Sequence, residues 1–264
     1  MADATPGDRM RAWRPDVPGV REVLQAELSA HAYPLHVHDE WSLLLIDRGA
    51  VDYRLGRHER RAPASTLSVL PPGVAHDGHS ARPGHAFRKR VVYLAPEAID
   101  AARVGAAVDG PLVGDPTVAR LAARFHAAVA APGDRFVAES VLRMLVIRVE
   151  AALGSRAPTS AADAPLAVRL RELLDGRPVD PPTLAECGTA LGATPEHLIR
   201  TFVRAYGIPP HRYLIGRRVE AARRLLLDGV APAQVAARIG FVDQAHLTRT
   251  FRRTLGTTPA RFAA

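Results

Sequence analysis

The run HLIRTFVRAYGIPPHRY at residues 197–213 returns as HLTRTFRRTLGTTPARF at residues 246–262. At a constant offset of 49, His197 matches His246, Leu198 matches Leu247, Arg200 matches Arg249 and Phe202 matches Phe251. Arg204 matches Arg253, Gly207 matches Gly256, Pro210 matches Pro259 and Arg212 matches Arg261. Matches this dense mark a duplicated structural unit. Self-similarity at a fixed period is read first because it sets the architecture, and two copies are too few for a solenoid.

Each copy reads as a short helix, a tight turn and a second helix. In the first, LAECGTAL is followed by Gly192 and Ala193, and Thr194-Pro195 opens the next helix with a hydroxyl cap and a proline at its first position. In the second, VAARIGF leads through Val242 to Asp243 as the cap, at the same offset of 49 from Thr194. Leu198 and Phe202, like Leu247 and Phe251, are four apart and face inward, which puts Arg200, Arg204, Arg249 and Arg253 on another face. Such a helix-turn-helix can lay its second helix in the major groove of B-DNA. Arginine suits guanine there because its planar fork donates two hydrogen bonds to O6 and N7. The plainer alternative is a pair of helical hairpins with solvated arginines. Duplication in a basic domain favours nucleic acid.

Between the copies, RYLIGRRVEAARRLLLDG has the period of one long helix over 212–227, ending at Gly229. At 1.5 Å per residue it spans about 24 Å, which with the flanking units separates the two reading helices by roughly one DNA turn, about 34 Å. One chain could then read two successive major grooves.

Charge is distributed to match. From Ala164 to the end there are 15 arginines against 8 acidic residues, which accounts for +7 of the chain's net +8. A localised positive domain suits a polyanion. The sole lysine, Lys89, shows that the arginine excess partly reflects coding bias. Cys187 is the one cysteine, which excludes an internal disulfide and a multi-cysteine metal site; among apolar helix residues it reads as a small core hydrophobe. No window has the roughly 18 to 20 apolar residues of a membrane span, and MADATPGDRMRAWRPD lacks a signal-peptide core, so no membrane partner and a cytoplasmic location are expected.

Residues 1–18 read as a mobile arm. From 22 to 95, the short runs LLLI (43–46), VDYRL (51–55), TLSVL (66–70) and VVYL (91–94), cut by Gly, Pro and Asp, predict an antiparallel sandwich or barrel. The pattern turns helical over 115–131 and 134–153. That connector, 115–153, closes a first domain at 19–153 and is the expected homodimer contact. Residues 154–163 read as a linker to an all-helical domain at 164–264.

Residues 164–264 resemble the DNA-binding domain of AraC-type transcription regulators, most specifically in RIGFVDQAHLTRTFRRTLGTTPARF. The resemblance implies base-facing positions at Glu196 and Arg200 in the first reading helix and at Gln244, His246 and Arg249 in the second. Arg252 and Arg253 are expected on phosphate, and Arg204 is expected to contact DNA as well. It also implies double-stranded DNA as partner, a small-molecule effector, and RNA polymerase as a candidate partner.

Seven of the eleven histidines, at 31, 36, 38, 58, 76, 79 and 85, lie in the strand-rich part. His36-Val37-His38, Gly49 and the run from Pro71 to His76 resemble the two motifs of cupin barrels. Metal cupins carry a glutamate four or five residues past HxH, where this chain has Ser42 and Leu43; Glu40 comes too early. The expected fold is therefore α+β with two domains: an antiparallel cupin-like β-barrel with following helices, then an all-α double helix-turn-helix. The barrel is expected to hold an effector with His36, His38 and His76 as polar groups and Trp41 and Tyr53 as walls, without a cofactor. The plainer alternative has the histidines bonded to loop backbone; were a metal held instead, the same three would hold it. An enzyme is not expected. The rival classes are a metal-dependent cupin enzyme fused to a DNA-binding tail and an effector-independent DNA binder. Effector identity, operator sequence and the choice between activator and repressor are not written in the chain.

Overall fold

The computed structural model describes residues 8–29, 31–130, 135–154 and 165–263. Its strands are β1 (Arg9–Trp13), β2 (Val20–Leu28), β3 (Tyr33–His36), β4 (Trp41–Arg48), β5 (Ala50–Leu55), β6 (His58–Pro63), β7 (Leu67–Leu70), β8 (His76–Ser80), β9 (Phe87–Leu94) and β10 (Leu112–Val113). The helices are α1 (Val104–Asp109), α2 (Pro116–Ala128), α3 (Arg135–Leu153), α4 (Pro165–Gly176), α5 (Leu184–Leu191), α6 (Pro195–Tyr206), α7 (Pro210–Leu227), α8 (Pro232–Arg238), α9 (Gln244–Leu255) and α10 (Pro259–Phe262). The chain divides into two compact units. The first holds residues up to Ala32, Asp39–Val74 and Gly78–Ser160; the second holds Ala161–Ala264 together with Tyr33–His38 and Ala75–Asp77.

The strands form a six-stranded sheet, ordered β1-β2-β9-β4-β7-β10, and a four-stranded one, ordered β3-β8-β5-β6. Pairings along the larger sheet are antiparallel, as is β5 with β6. The expected runs at 43–46, 51–55 and 91–94 lie in strands, as does the run at 66–70 from Leu67 on. Hydrogen bonding among the described residues makes two sheets and not one closed barrel. Within the stretch expected to be a mobile arm, Arg9–Trp13 is instead β1, fully paired with β2 from Arg9↔Glu27 to Trp13↔Val23. Backbone pairing orders this segment although none of its side chains is fully buried. The linker expected at 154–163 lies, from residue 155 on, outside the described residues.

β4 is the centre of the first unit's core and is buried on both faces, which is why its sequence reads as an apolar run and does not alternate. Trp41, Leu43 and Leu45 share a cluster with Val92 and Leu94 of β9, Val118, Leu121 and Phe125 of α2, and Val141, Leu145 and Val149 of α3. The helical period expected over 115–153 thus resolves into two helices covering the six-stranded sheet. Asp115 caps α2, its carboxylate accepting from the backbone N–H of Thr117 at 2.8 Å. Asp47 and Arg90 form a doubly bonded pair on adjacent strands, with Nε at 3.0 and 2.9 Å from the two carboxylate oxygens. His126 on α2 is buried with neither ring nitrogen hydrogen-bonded, and burial, helped by the Arg90 charge, lowers its pKa to about 3.

In the second unit, Leu170 and Leu174 of α4, Cys187 of α5, Leu198 and Phe202 of α6, and Tyr213 of α7 form one apolar cluster with Val37 and Ala75. Cys187 is fully buried and burial raises its thiol pKa, so it is the core hydrophobe its surroundings suggested. Asp175 on α4 accepts from the Tyr213 hydroxyl at 2.8 Å and from Arg217 Nε at 3.0 Å. Arg217 also donates to the buried Glu220 at 2.7 Å, and Arg224 donates to the other Glu220 oxygen at 3.2 Å. The long helix expected over 212–227 is α7, which starts one residue past Pro209 and ends at Leu227. Its arginines are therefore partly structural, anchoring α7 to α4 and to its own next turn.

Candidate nucleic-acid interface and histidine cluster

The two copies fold alike. α6 follows Thr194, whose hydroxyl accepts from His197 N–H at 3.3 Å; α9 follows Asp243, whose carboxylate accepts from His246 N–H at 2.6 Å. Both helices end at a glycine in the left-handed region, Gly207 at φ 75° and Gly256 at φ 77°, where an L side chain would be strained. Leu198, Phe202, Leu247 and Phe251 are all buried, as the repeat required.

The opposite faces are exposed. Glu196, Arg200 and Arg204 stand four residues apart along α6, one stripe per turn. On α9, Arg249 and Arg253 make the equivalent stripe, and Gln244 and Arg252 flank it, also exposed. His246 is half-buried, its ring centroid 5.0 Å from that of Phe241 in an edge-on contact. That packing fixes the imidazole at the start of α9 and leaves part of it to solvent. The eight positions expected to meet DNA thus fall into two surface stripes, each on the second helix of a capped pair.

Three histidines expected in an effector pocket converge. His36 and His76 have ring centroids 4.4 Å apart, His38 and His76 4.7 Å, and His36 and His38 6.0 Å. His38 and His76 are buried, and one nitrogen from each of the three lies within 4.8 Å of the others. His36 Nδ1 is 2.8 Å from the Pro34 carbonyl, which can only accept, so that nitrogen carries the proton. Burial first, then repulsion from His76 and His38, hold the His36 pKa well below its ordinary value. The three share the compact unit of the helices, a placement that strand periodicity could not reveal.

The two expected pocket walls belong to the first unit. Trp41 is fully buried on the helix-covered face of the six-stranded sheet, its indole N–H donating to Pro96 O at 3.2 Å. Tyr53 is buried in the four-stranded sheet, its hydroxyl bonded to Ser68 Oγ of β7 at 3.3 Å. Trp41 points with Leu43 and Leu45 toward α2 and α3, whereas Tyr53 links the two sheets from the other side. Ser42 and Leu43, where a metal cupin would have its carboxylate, are buried members of β4.

A β unit joined to a basic unit with two capped helix-turn-helix pairs defines a class of two-part DNA-reading regulators. A family model described as AraC-like ligand binding domain matches residues 18–146, and one described as Helix-turn-helix domain matches residues 187–264. The two matches cover most of the chain, which belongs to the AraC-type transcription regulators. RipA, an HTH-type transcriptional regulator of Corynebacterium glutamicum, is 32% identical over 108 residues, 40% of this chain and 33% of its own length. The uncharacterized HTH-type transcriptional regulator YbfI of Bacillus subtilis is 35% identical over 76 residues, 29% of this chain and 28% of its own length. The chain thus spans a third or less of these curated relatives. Among solved structures, an apo variant of ToxT from Vibrio cholerae superposes with a TM-score of 0.60 at 12% identity, over 91% of this chain and 96% of that one. ToxT with an unsaturated fatty acid bound gives 0.57 at 13% identity, over 100% and 97%. That likeness is one of fold.

Proposed function

We propose that the chain is a sequence-specific, double-stranded DNA-binding transcription regulator whose N-terminal domain, residues 19–153, answers to a small-molecule effector. The observation that carries this is the pair of equivalent reading helices, α6 and α9, each with an apolar face buried and an arginine stripe in solvent. Arg249, one turn past the Asp243 cap, is the principal base reader, with Gln244 and His246 beside it at the helix start, where a recognition helix comes closest to base edges. Arg252 and Arg253, further along, bind phosphate. Arg200 reads from α6 with Glu196 one turn ahead of it, and Arg204 binds phosphate. Residues 164–264 act as the reader and α7 as the rigid spacer. The chain acts in the cytoplasm without a catalytic step, and RNA polymerase is a further partner.

The regulator works as a homodimer through α3. One face of that helix is buried, yet Phe136, Val137, Met144 and Ile147 are exposed. Val137, Met144 and Ile147 are seven and three residues apart, the spacing of a helix-helix seam. Among the described residues no helix is long and apolar enough to cross a membrane.

Selection of duplexes from a random pool by the full chain tests the reading: enrichment of one motif supports it, and uniform weak recovery overturns it. The selected duplex is then titrated across a panel of amino acids, sugars, aromatic acids and fatty acids, the last because one ToxT structure holds such an acid. DNA affinity unchanged across the whole panel would leave an effector-independent binder.

A further inference from the structure

We propose that His36, His38 and His76 form a binding site for a divalent first-row transition-metal ion, zinc(II) being the ion that the donor set fits best. Three imidazoles with one position left for water or an anion make a familiar zinc environment. The donor atoms already lie within 4.8 Å of one another. Zinc-nitrogen bonds of about 2.0 to 2.1 Å set tetrahedral neighbours about 3.4 Å apart, so the donor atoms need to draw together by up to about 1.4 Å, within the reach of side-chain rotation.

The surroundings prepare the ligands. The Pro34 carbonyl holds the Nδ1 proton of His36, which leaves the lone pair on Nε2, the arrangement by which a carbonyl orients a metal-ligating histidine. His38 and His76 are buried, so bulk water competes little for their nitrogens. Arg223 on α7 is near enough to act on the His36 ring and opposes a cation here. An anion in the open position offsets it.

The place of the site gives it consequence. His36 and His38 belong to one chain segment and His76 to another, and both segments pack in the unit of α4, α6 and α7. Val37 and Ala75, their neighbours in sequence, lie in the same apolar cluster as Leu170, Phe202 and Tyr213. A bound ion ties the two segments together inside that unit, so its occupancy raises the unit's stability by mass action. The metal site stands on the histidine geometry alone; only an effect on DNA rests on the proposed function.

The test uses the untagged full chain stripped with a chelator and titrated with zinc chloride in a calorimeter. One equivalent should bind, and cobalt(II) in its place should give the absorption of a four-coordinate ion. His38→Ala and His76→Ala should each weaken zinc binding at least about tenfold. His58→Ala and His79→Ala, at exposed positions, should not. X-ray absorption on the zinc-loaded unmutated chain counts imidazoles without requiring any variant to fold, and three are expected. No saturable binding, equal losses in cluster and exposed-site variants, or fewer than three imidazoles would each overturn the site. Zinc binding without any DNA binding would overturn the DNA reading and leave the site standing; DNA binding without zinc binding would do the reverse.

Discussion

The two helix-turn-helix copies share their core and differ at their tips. Between the end of the first helix and the start of the second there are three residues in the first copy, Gly192 to Thr194, and five in the second, Ile239 to Asp243. The first cap is a neutral hydroxyl and the second a carboxylate at a shorter distance, 2.6 against 3.3 Å. Outward, the first copy presents Glu196 ahead of Arg200 and Arg204, whereas the second has Ala245 at the matching place and three arginines, 249, 252 and 253. Duplication has kept what holds each helix and released what each helix shows.

The shared core is tested by the largest change. Phe202→Ala and Phe251→Ala each remove a fully buried ring and should cost about 3 to 5 kcal/mol in urea unfolding followed by circular dichroism. A loss confined to one of them would break the equivalence of the copies. The outward faces come next. Arg249→Ala should cost roughly 1 to 3 kcal/mol on the selected duplex and flatten discrimination at one or two base pairs, while Arg253→Ala weakens all sequences alike and lowers the salt slope by about one phosphate. Equal losses on selected and random DNA from a folded Arg249→Ala protein would remove its base-reading role.

The caps should separate the copies by less. Asp243→Ala is expected to cost about 1 kcal/mol of thermal or urea stability, and Thr194→Ala less, because a charged acceptor at short range is the stronger bond. The reverse order would show that turn length, not cap chemistry, sets how firmly each reading helix starts. The smallest effect belongs to Glu196→Gln. It should leave stability unchanged and raise affinity for random DNA by a few tenths of a kcal/mol, as one repulsive charge near phosphate is removed. If affinity for the selected duplex falls instead, with discrimination at a cytosine lost, Glu196 reads a base.

Much of this was legible from sequence because the signals were local. The caps, the left-handed glycines after α6 and α9, the buried Leu and Phe pairs and α7 are each set within a turn or two of the chain. The strands were legible as apolar runs, but their partners were not. Arg9–Trp13 alternates over only four residues, too short a pattern to betray β1, whose order comes from backbone pairing with β2. Trp41 was expected as a pocket wall; β4 is buried on both faces, and alternation cannot tell which neighbour each face meets. The histidines were recognised as a set, yet only tertiary contacts could assign them to the unit of the helices.

Lys89, the chain's one lysine, is buried on β9. Every cationic side chain exposed on α6 and α9, histidine aside, is therefore a guanidinium, which stays protonated far above any cellular pH and offers no amine to an acetyltransferase. The electrostatic part of DNA binding thus has no acetylation switch on the reading helices. Amine-directed labels and cross-linkers would likewise find no lysine there to report on.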